Sequence, residues 1–118
     1  MATDPDREDP VDLKTFQQGP TPFALFLMHG PGSPRTFLLT REEMVVGRSD
    51  AADIQVDTTD LSPWHLLLRR EHGQYTVLDL DSPNGVYLNG LRIHSAVLHE
   101  GDNLQLGSVV LVFHEGRE

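Results

Sequence analysis

The sequence predicts an all-β chain arranged as an antiparallel sandwich or barrel, and three features point that way. From Phe23 onward the apolar runs are short, Gly, Pro, Asn and Asp cut them at close intervals, and no segment holds a helical period for a useful length. Short runs bounded by turn formers read as strands, and about ten or eleven of them at this spacing exceed what one open sheet holds flat.

The strands follow in order. Phe23–Met28 ends at the breaker Gly30-Pro31-Gly32-Ser33-Pro34, and Thr36–Leu39 and Met44–Val46 follow, the latter stopping at Gly47. Asp53–Val56 comes next, then His65–Arg69 and Tyr75–Leu80, joined across a turn at Glu71-His72-Gly73. Val86–Leu88 and Leu91–Ile93 flank Asn89-Gly90, the residue pair that accepts the positive φ values of a two-residue hairpin. Leu104–Leu106 and Val109–Phe113 close the chain around Gly107, and there is no internal repeat.

A length of 118 residues sets one domain, and the tail accounts for part of the low apolar fraction of 38%. Residues 1–22 are rich in Asp, Pro and Gln, with Pro5, Pro10, Pro20 and Pro22 among them. Such a segment buries too little apolar surface to offset the entropy of ordering it, so we expect a mobile acidic tail followed by a domain over residues 23–116. The first twelve residues set Asp4, Asp6, Glu8, Asp9 and Asp12 against Arg7 alone, a large share of the net charge of −9.

That charge disfavours nucleic acid and anionic membrane as partners. Eight of the nine bases are Arg, the residue suited to bidentate recognition of carboxylate or phosphate, although a coding preference gives the same bias. Zero cysteine excludes disulfides, thiolate metal sites and a Cys nucleophile. The start has no basic or apolar run of a secretory signal and nothing reaches membrane-spanning length, so the expected location is cytoplasmic.

Three loop motifs stand in order between the strands: Gly47-Arg48-Ser49, Ser62-Pro63-Trp64-His65, and Asn84-Gly85, with Asn89-Gly90 closing the next hairpin. Asp79-Leu80-Asp81-Ser82 precedes the third, and Gly101-Asp102 precedes Leu104-Gln105-Leu106-Gly107. This set resembles the forkhead-associated (FHA) family across Phe23 to Phe113, nearly the whole ordered chain.

The resemblance implies an eleven-strand sandwich whose loops at one end grip an extended phosphothreonine-containing protein segment, in signalling by Ser/Thr kinases. Position by position, Arg48 would bond the phosphate, Ser62 would donate its hydroxyl and backbone N–H to it, and Asn84 would hold the peptide main chain. Gly47, His65 and Gly85 would shape the loops, and Ser49, Trp64 and Ser82 stand where they would contact peptide. The chemistry agrees: an Arg fork and a Ser hydroxyl supply charge-assisted bonds of roughly 1.5–3 kcal/mol each. Asn pairs with a backbone C=O and N–H together.

Two positions depart from the family pattern. Pro63 follows the motif serine where a basic or polar residue is common, and Pro83 precedes the motif asparagine where Thr or Lys is common. Proline donates no hydrogen bond, so binding weaker than in a fully equipped member, or leaning harder on Arg48, is expected. Trp64 is large enough that packing against the loop is the expected fate; left exposed, it would be a platform for peptide.

Each residue also has a plainer reading: Arg48 as a surface ion-pair partner, Ser62 as a turn or cap, Asn84-Gly85 as a tight turn. Only their order in one set favours the phosphate roles. His65 lies three residues from Ser62, but no third residue orients it and no oxyanion motif is present, so a nucleophile–base pair is rejected and no enzyme is expected. Asp79 and Asp81 read as turn acceptors rather than an acid–base pair. His29, His72, His94, His99 and His114 show no metal-ligand spacing, and Gly30-Pro31-Gly32 lacks the Lys of a phosphate loop; no metal or cofactor is expected.

The alternative function is a phosphate-independent interaction or scaffold domain that keeps the FHA fold. A last expectation concerns the tail, where Thr3 precedes Asp4-Pro5-Asp6, so a phosphorylated Thr3 would dock into its own domain, on a tether of about twenty residues, or into a neighbour's. Thr15 and Thr21 are alternative acceptors, and an inert tail is the plainer reading.

Overall fold

The structure is a computed structural model that describes residues 21–117. Eleven strands form two sheets, and no helix occurs among the described residues. The strands are β1 Phe23–His29, β2 Arg35–Leu39, β3 Glu43–Gly47, β4 Ile54–Gln55, β5 Leu66–Glu71 and β6 Gln74–Asp79. They continue as β7 Val86–Leu88, β8 Leu91–Ile93, β9 Ser95–Val97, β10 Asn103–Leu106 and β11 Val109–His114. One sheet runs β2-β1-β11-β10-β7-β8, the other β4-β3-β5-β6-β9.

The sandwich follows from period-two alternation. In β11, Val109, Leu111 and Phe113 are fully buried while the residues between them are not; Leu66 and Leu68 of β5 and Leu104 and Leu106 of β10 do the same. These inward rows meet Leu25, Leu27, Val46 and Val77 from their neighbours to make one core. Each buried large aliphatic contributes about 1.5–3 kcal/mol. At one end Phe23, Tyr75 and Phe113 pack mutually, with centroids 5.3–6.2 Å apart.

Two features differ from the sequence reading. Ser95–Val97 forms an edge strand on β6, and β4 pairs parallel to β3 through Val46–Ile54 and Gly47–Gln55. The expected tail, residues 1–22, lies almost wholly outside the described residues, as does Thr3. Its end is a correction: Thr21 exchanges both backbone hydrogen bonds with Arg117, each 2.7 Å, so a β-bridge and not free chain precedes Phe23. This bridge carries both described ends beside the aromatic cluster, opposite the motif loops.

Candidate functional site

Three loops converge where β3, β4 and β6 end, and the residues singled out above build the junction. β3 stops at Gly47, whose neighbours are stitched to the loop before β5: the Arg48 N–H donates to the Ser62 carbonyl (2.9 Å) and the Ser49 N–H to that of Pro63 (3.2 Å). Gly47 is glycine for steric reasons, since a Cβ there would run into the Pro63 carbonyl. Arg48 and Ser62 are thereby held side by side.

Arg48 is half-buried, and its Nε–H donates to the Leu61 carbonyl (3.1 Å), which aims the guanidinium. Its two terminal nitrogens have no partner among the described residues. The Ser62 hydroxyl is likewise unengaged there. Its backbone N–H is not: it donates to His65 Nδ1 (3.1 Å), which corrects the expectation that this N–H serves the phosphate.

His65 is fully buried and acts as a crossbeam. Because Nδ1 accepts from an N–H, the ring proton sits on Nε2 and donates to the Gly85 carbonyl (2.9 Å). One neutral ring thus ties the Ser62 loop to the Asn84-Gly85 loop. Its own backbone N–H reaches the Val46 carbonyl (2.9 Å), and its carbonyl accepts from Leu80 (3.0 Å), fixing it between β3 and β6.

In the third loop Asp79 Oδ1 accepts the Ser82 hydroxyl (2.6 Å) and N–H (3.1 Å). Ser82, expected above as a peptide contact, is buried with its hydroxyl engaged by Asp79. Gly85 turns at φ +77°, where a side chain would be strained and would meet Arg92. Asn84 is exposed; its Nδ2 donates to the Asp60 carbonyl (2.7 Å), leaving Oδ1 open as an acceptor. Ser49 is half-buried, and its hydroxyl accepts from the Ala51 N–H (3.0 Å).

Trp64 overturns its expected packing, standing 47% exposed between exposed Pro63 and buried His65. His65 takes the inward position, so the larger ring is left outside.

Asp60 escaped the sequence reading. Its carbonyl orients Asn84, while its carboxylate accepts the hydroxyl and N–H of Ser108 in the β10–β11 turn. The Ser108 hydroxyl, then its N–H, hold the Asp60 carboxyl below its ordinary value. The carboxylate also lies against Gly107, where a Cβ would come within 2.8 Å of it. A second Asn, Asn89, is purely architectural: at φ 49° it closes the β7–β8 hairpin and its side chain links Asp102 (2.9 Å) and the Asn103 N–H (2.9 Å).

Beside Asn84 opens a groove of about 240 Å³ lined by Asn84, Tyr87, Gln105 and Gly107. No three His, Asp or Glu side chains converge to hold a metal among the described residues. No described helix is long and apolar enough to cross a membrane.

Comparison with known proteins fits this geometry. The model of the family described as "FHA domain" matches residues 44–107. The oxoglutarate dehydrogenase inhibitor of Corynebacterium diphtheriae is 39% identical over 92 residues, 78% of this chain and 64% of that protein. The glycogen accumulation regulator GarA of Mycolicibacterium smegmatis is 38% identical over the same length, 78% of this chain and 58% of that one. The chain therefore spans about three-fifths of the length of these two relatives. Among solved structures, one from a study of phosphothreonine-dependent FHA domain interactions superimposes with a TM-score of 0.73 at 29% identity, covering 80% of this chain and 96% of that one.

Proposed function

The chain belongs to the forkhead-associated family, and from that premise we propose that its loop end binds phosphothreonine-containing protein segments in Ser/Thr kinase signalling, as a regulatory binding module with no catalytic step. The observation that carries this is the pair of unengaged donors: a guanidinium aimed by Leu61 and a Ser62 hydroxyl, held side by side by the Arg48–Ser62 backbone bond. A phosphate dianion takes both. The Arg48 fork supplies the charge and the hydroxyl a third donor, each bond worth roughly 1.5–3 kcal/mol.

Asn84 Oδ1 then accepts a main-chain N–H of the segment, and His65 keeps the two loops at a fixed separation so that phosphate and backbone are read together. With Pro63 and Pro83 donating nothing and the Ser62 N–H given to His65, the phosphate rests mainly on Arg48. The relatives named as an inhibitor and a regulator support a module that acts by occupying another protein.

Calorimetric titration of phosphothreonine, phosphoserine and unphosphorylated peptide libraries tests this. Binding of phosphothreonine peptides alone, weakened about thirty- to hundredfold in Arg48→Ala, is expected. A second reading, phosphate-independent docking, takes its support from the exposed Trp64; partner affinity that is unchanged in Arg48→Ala would establish it instead.

A further inference from the structure

We propose that the outer face of the six-stranded sheet is a self-association surface, on which two copies of this chain pack sheet against sheet as a reversible dimer. It stands independently of the phosphopeptide reading.

A strand that buries one face alternates apolar and polar residues. β1 and β11 do not: Phe23–Met28 and Val109–Phe113 are apolar at every position. Their inward residues fill the core, which leaves Phe26, Val110 and Val112 half-buried on the outside and Met28 49% exposed where β1 bulges before His29. On the edge strand β2, Leu38 is 52% exposed. Register makes these positions one patch, with Leu38 opposite Ala24 and Phe26 opposite Val112.

The charge pattern says what fits there. None of the chain's 18 acidic residues lies in the six strands of this sheet. The five-stranded sheet differs, because its outer apolar row of Val45, Leu67 and Leu78 is bounded at once by the Arg69–Glu43 ion pair (2.9 Å). Two copies of net charge −9 repel one another over most of their surfaces, and that repulsion is weakest across an acid-free face. A basic partner finds no carboxylate in these strands, and an acidic one meets an apolar centre. The face therefore fits an apolar, uncharged surface, and a second copy offers one. Phe and Met are the residue types enriched where proteins meet, and acids are depleted there.

Roughly four strands by six residues, at about 4.8 and 3.3 Å, give a footprint of about 400 Å² per copy. Against about 800 Å² per partner in a standard interface, this supports a reversible dimer and not an obligate one. A two-fold axis over β1 and β11 sets Phe26 and Val112 of one copy against those of the other. Arg48 and Ser62 flank strands of the opposite sheet, so both loop ends stay clear of the contact.

The test is sedimentation equilibrium of the full chain over a concentration series, with Met28→Glu/Leu38→Glu and, on the other sheet, the exposed Val97→Glu. Wild type is expected to pass from one chain to two with a midpoint of roughly 10–100 μM, lower as added salt screens the net charge. Met28→Glu/Leu38→Glu should stay a single chain throughout, with the urea midpoint of a dilute sample unchanged because both positions are exposed. Val97→Glu should associate as wild type does. Wild-type amide shifts on dilution should centre on Phe26, Leu38 and Val112, a readout that holds even if the double variant does not fold.

A wild type that stays a single chain at millimolar concentration overturns the proposal. If Leu13→Ser/Phe16→Ser then brings association, the segment before Thr21, outside the described residues, covers the face instead. Association that survives Met28→Glu/Leu38→Glu, that is lost in Val97→Glu, or whose dilution shifts centre on Val45 and Leu67 overturns it as well.

Discussion

The two ends of the sandwich are built on opposite principles. At the end that carries Thr21 and Arg117, Phe23, Tyr75 and Phe113 pack into an aromatic cluster, and the Tyr75 hydroxyl donates to the Arg41 carbonyl (2.7 Å). Burial pushes the Tyr75 phenol up from its ordinary value, with Arg70 acting in the opposite sense and Glu42 adding to the rise. At the loop end polar groups replace rings: His65, Asp60 and Asp79 brace the loops, while the Arg48 terminal nitrogens and the Ser62 hydroxyl are left unengaged. Stability is concentrated where buried rings pack against one another, and binding where a rigid frame leaves donors open.

The largest effect should therefore come from the aromatic end. Phe113→Ala removes a fully buried ring and is expected to lower unfolding free energy by about 3–5 kcal/mol in a urea titration, with phosphopeptide affinity of the folded fraction unchanged. Arg48→Ala should do the reverse. It should weaken phosphothreonine binding about thirty- to hundredfold, roughly 2–3 kcal/mol, while the urea midpoint stays within about 0.5 kcal/mol of wild type. If Arg48→Ala unfolds the domain, the division between the ends fails.

His65→Ala sharpens the comparison because this residue belongs to both principles, buried like the core yet bonded like the site. Loss of the ring leaves the Ser62 N–H and Gly85 carbonyl without their partner, for a destabilisation of about 1–2 kcal/mol by urea titration together with weaker peptide binding. The smallest effect is an acid titration of the Asp60 brace. Hydrogen bonds from Ser108 depress its carboxyl, so the brace is complete above the ordinary carboxylate range and is lost as pH falls through the depressed value. The Ser108 amide resonance should move in that acidic window and stay fixed at higher pH; movement near neutrality would contradict the assignment.

Much of this plan is legible in the sequence because turns are local. Asn89-Gly90 and the Gly-Arg, Ser-x-x-His and Asn-Gly motifs carry their geometry within a few residues, and alternation marks the inward rows of the longer strands. The features that were not legible depend on distant partners. β9 is three residues long, lies at an edge and has Ser at its start, so no alternation distinguishes it from loop. β4 has two residues, and its parallel pairing to β3 is set by how the chain returns after Arg48.

Asp60 matters only because Asn84, 24 residues on, and Ser108, 48 residues on, meet at it. Size predicted burial for Trp64, and the structure reverses it, because His65 occupies the interior beside Trp64; Ser82, expected as a peptide contact, is buried with its hydroxyl donated to Asp79.

The most direct test is an amide-resonance NMR titration with a phosphothreonine peptide and its unphosphorylated counterpart. The account predicts shifts confined to Gly47–Ser49, Leu61–His65 and Ser82–Gly85, with Phe23, Tyr75 and Phe113 unmoved and no response to the unphosphorylated peptide. Equal shifts with both peptides, or shifts centred on the aromatic end, would contradict it.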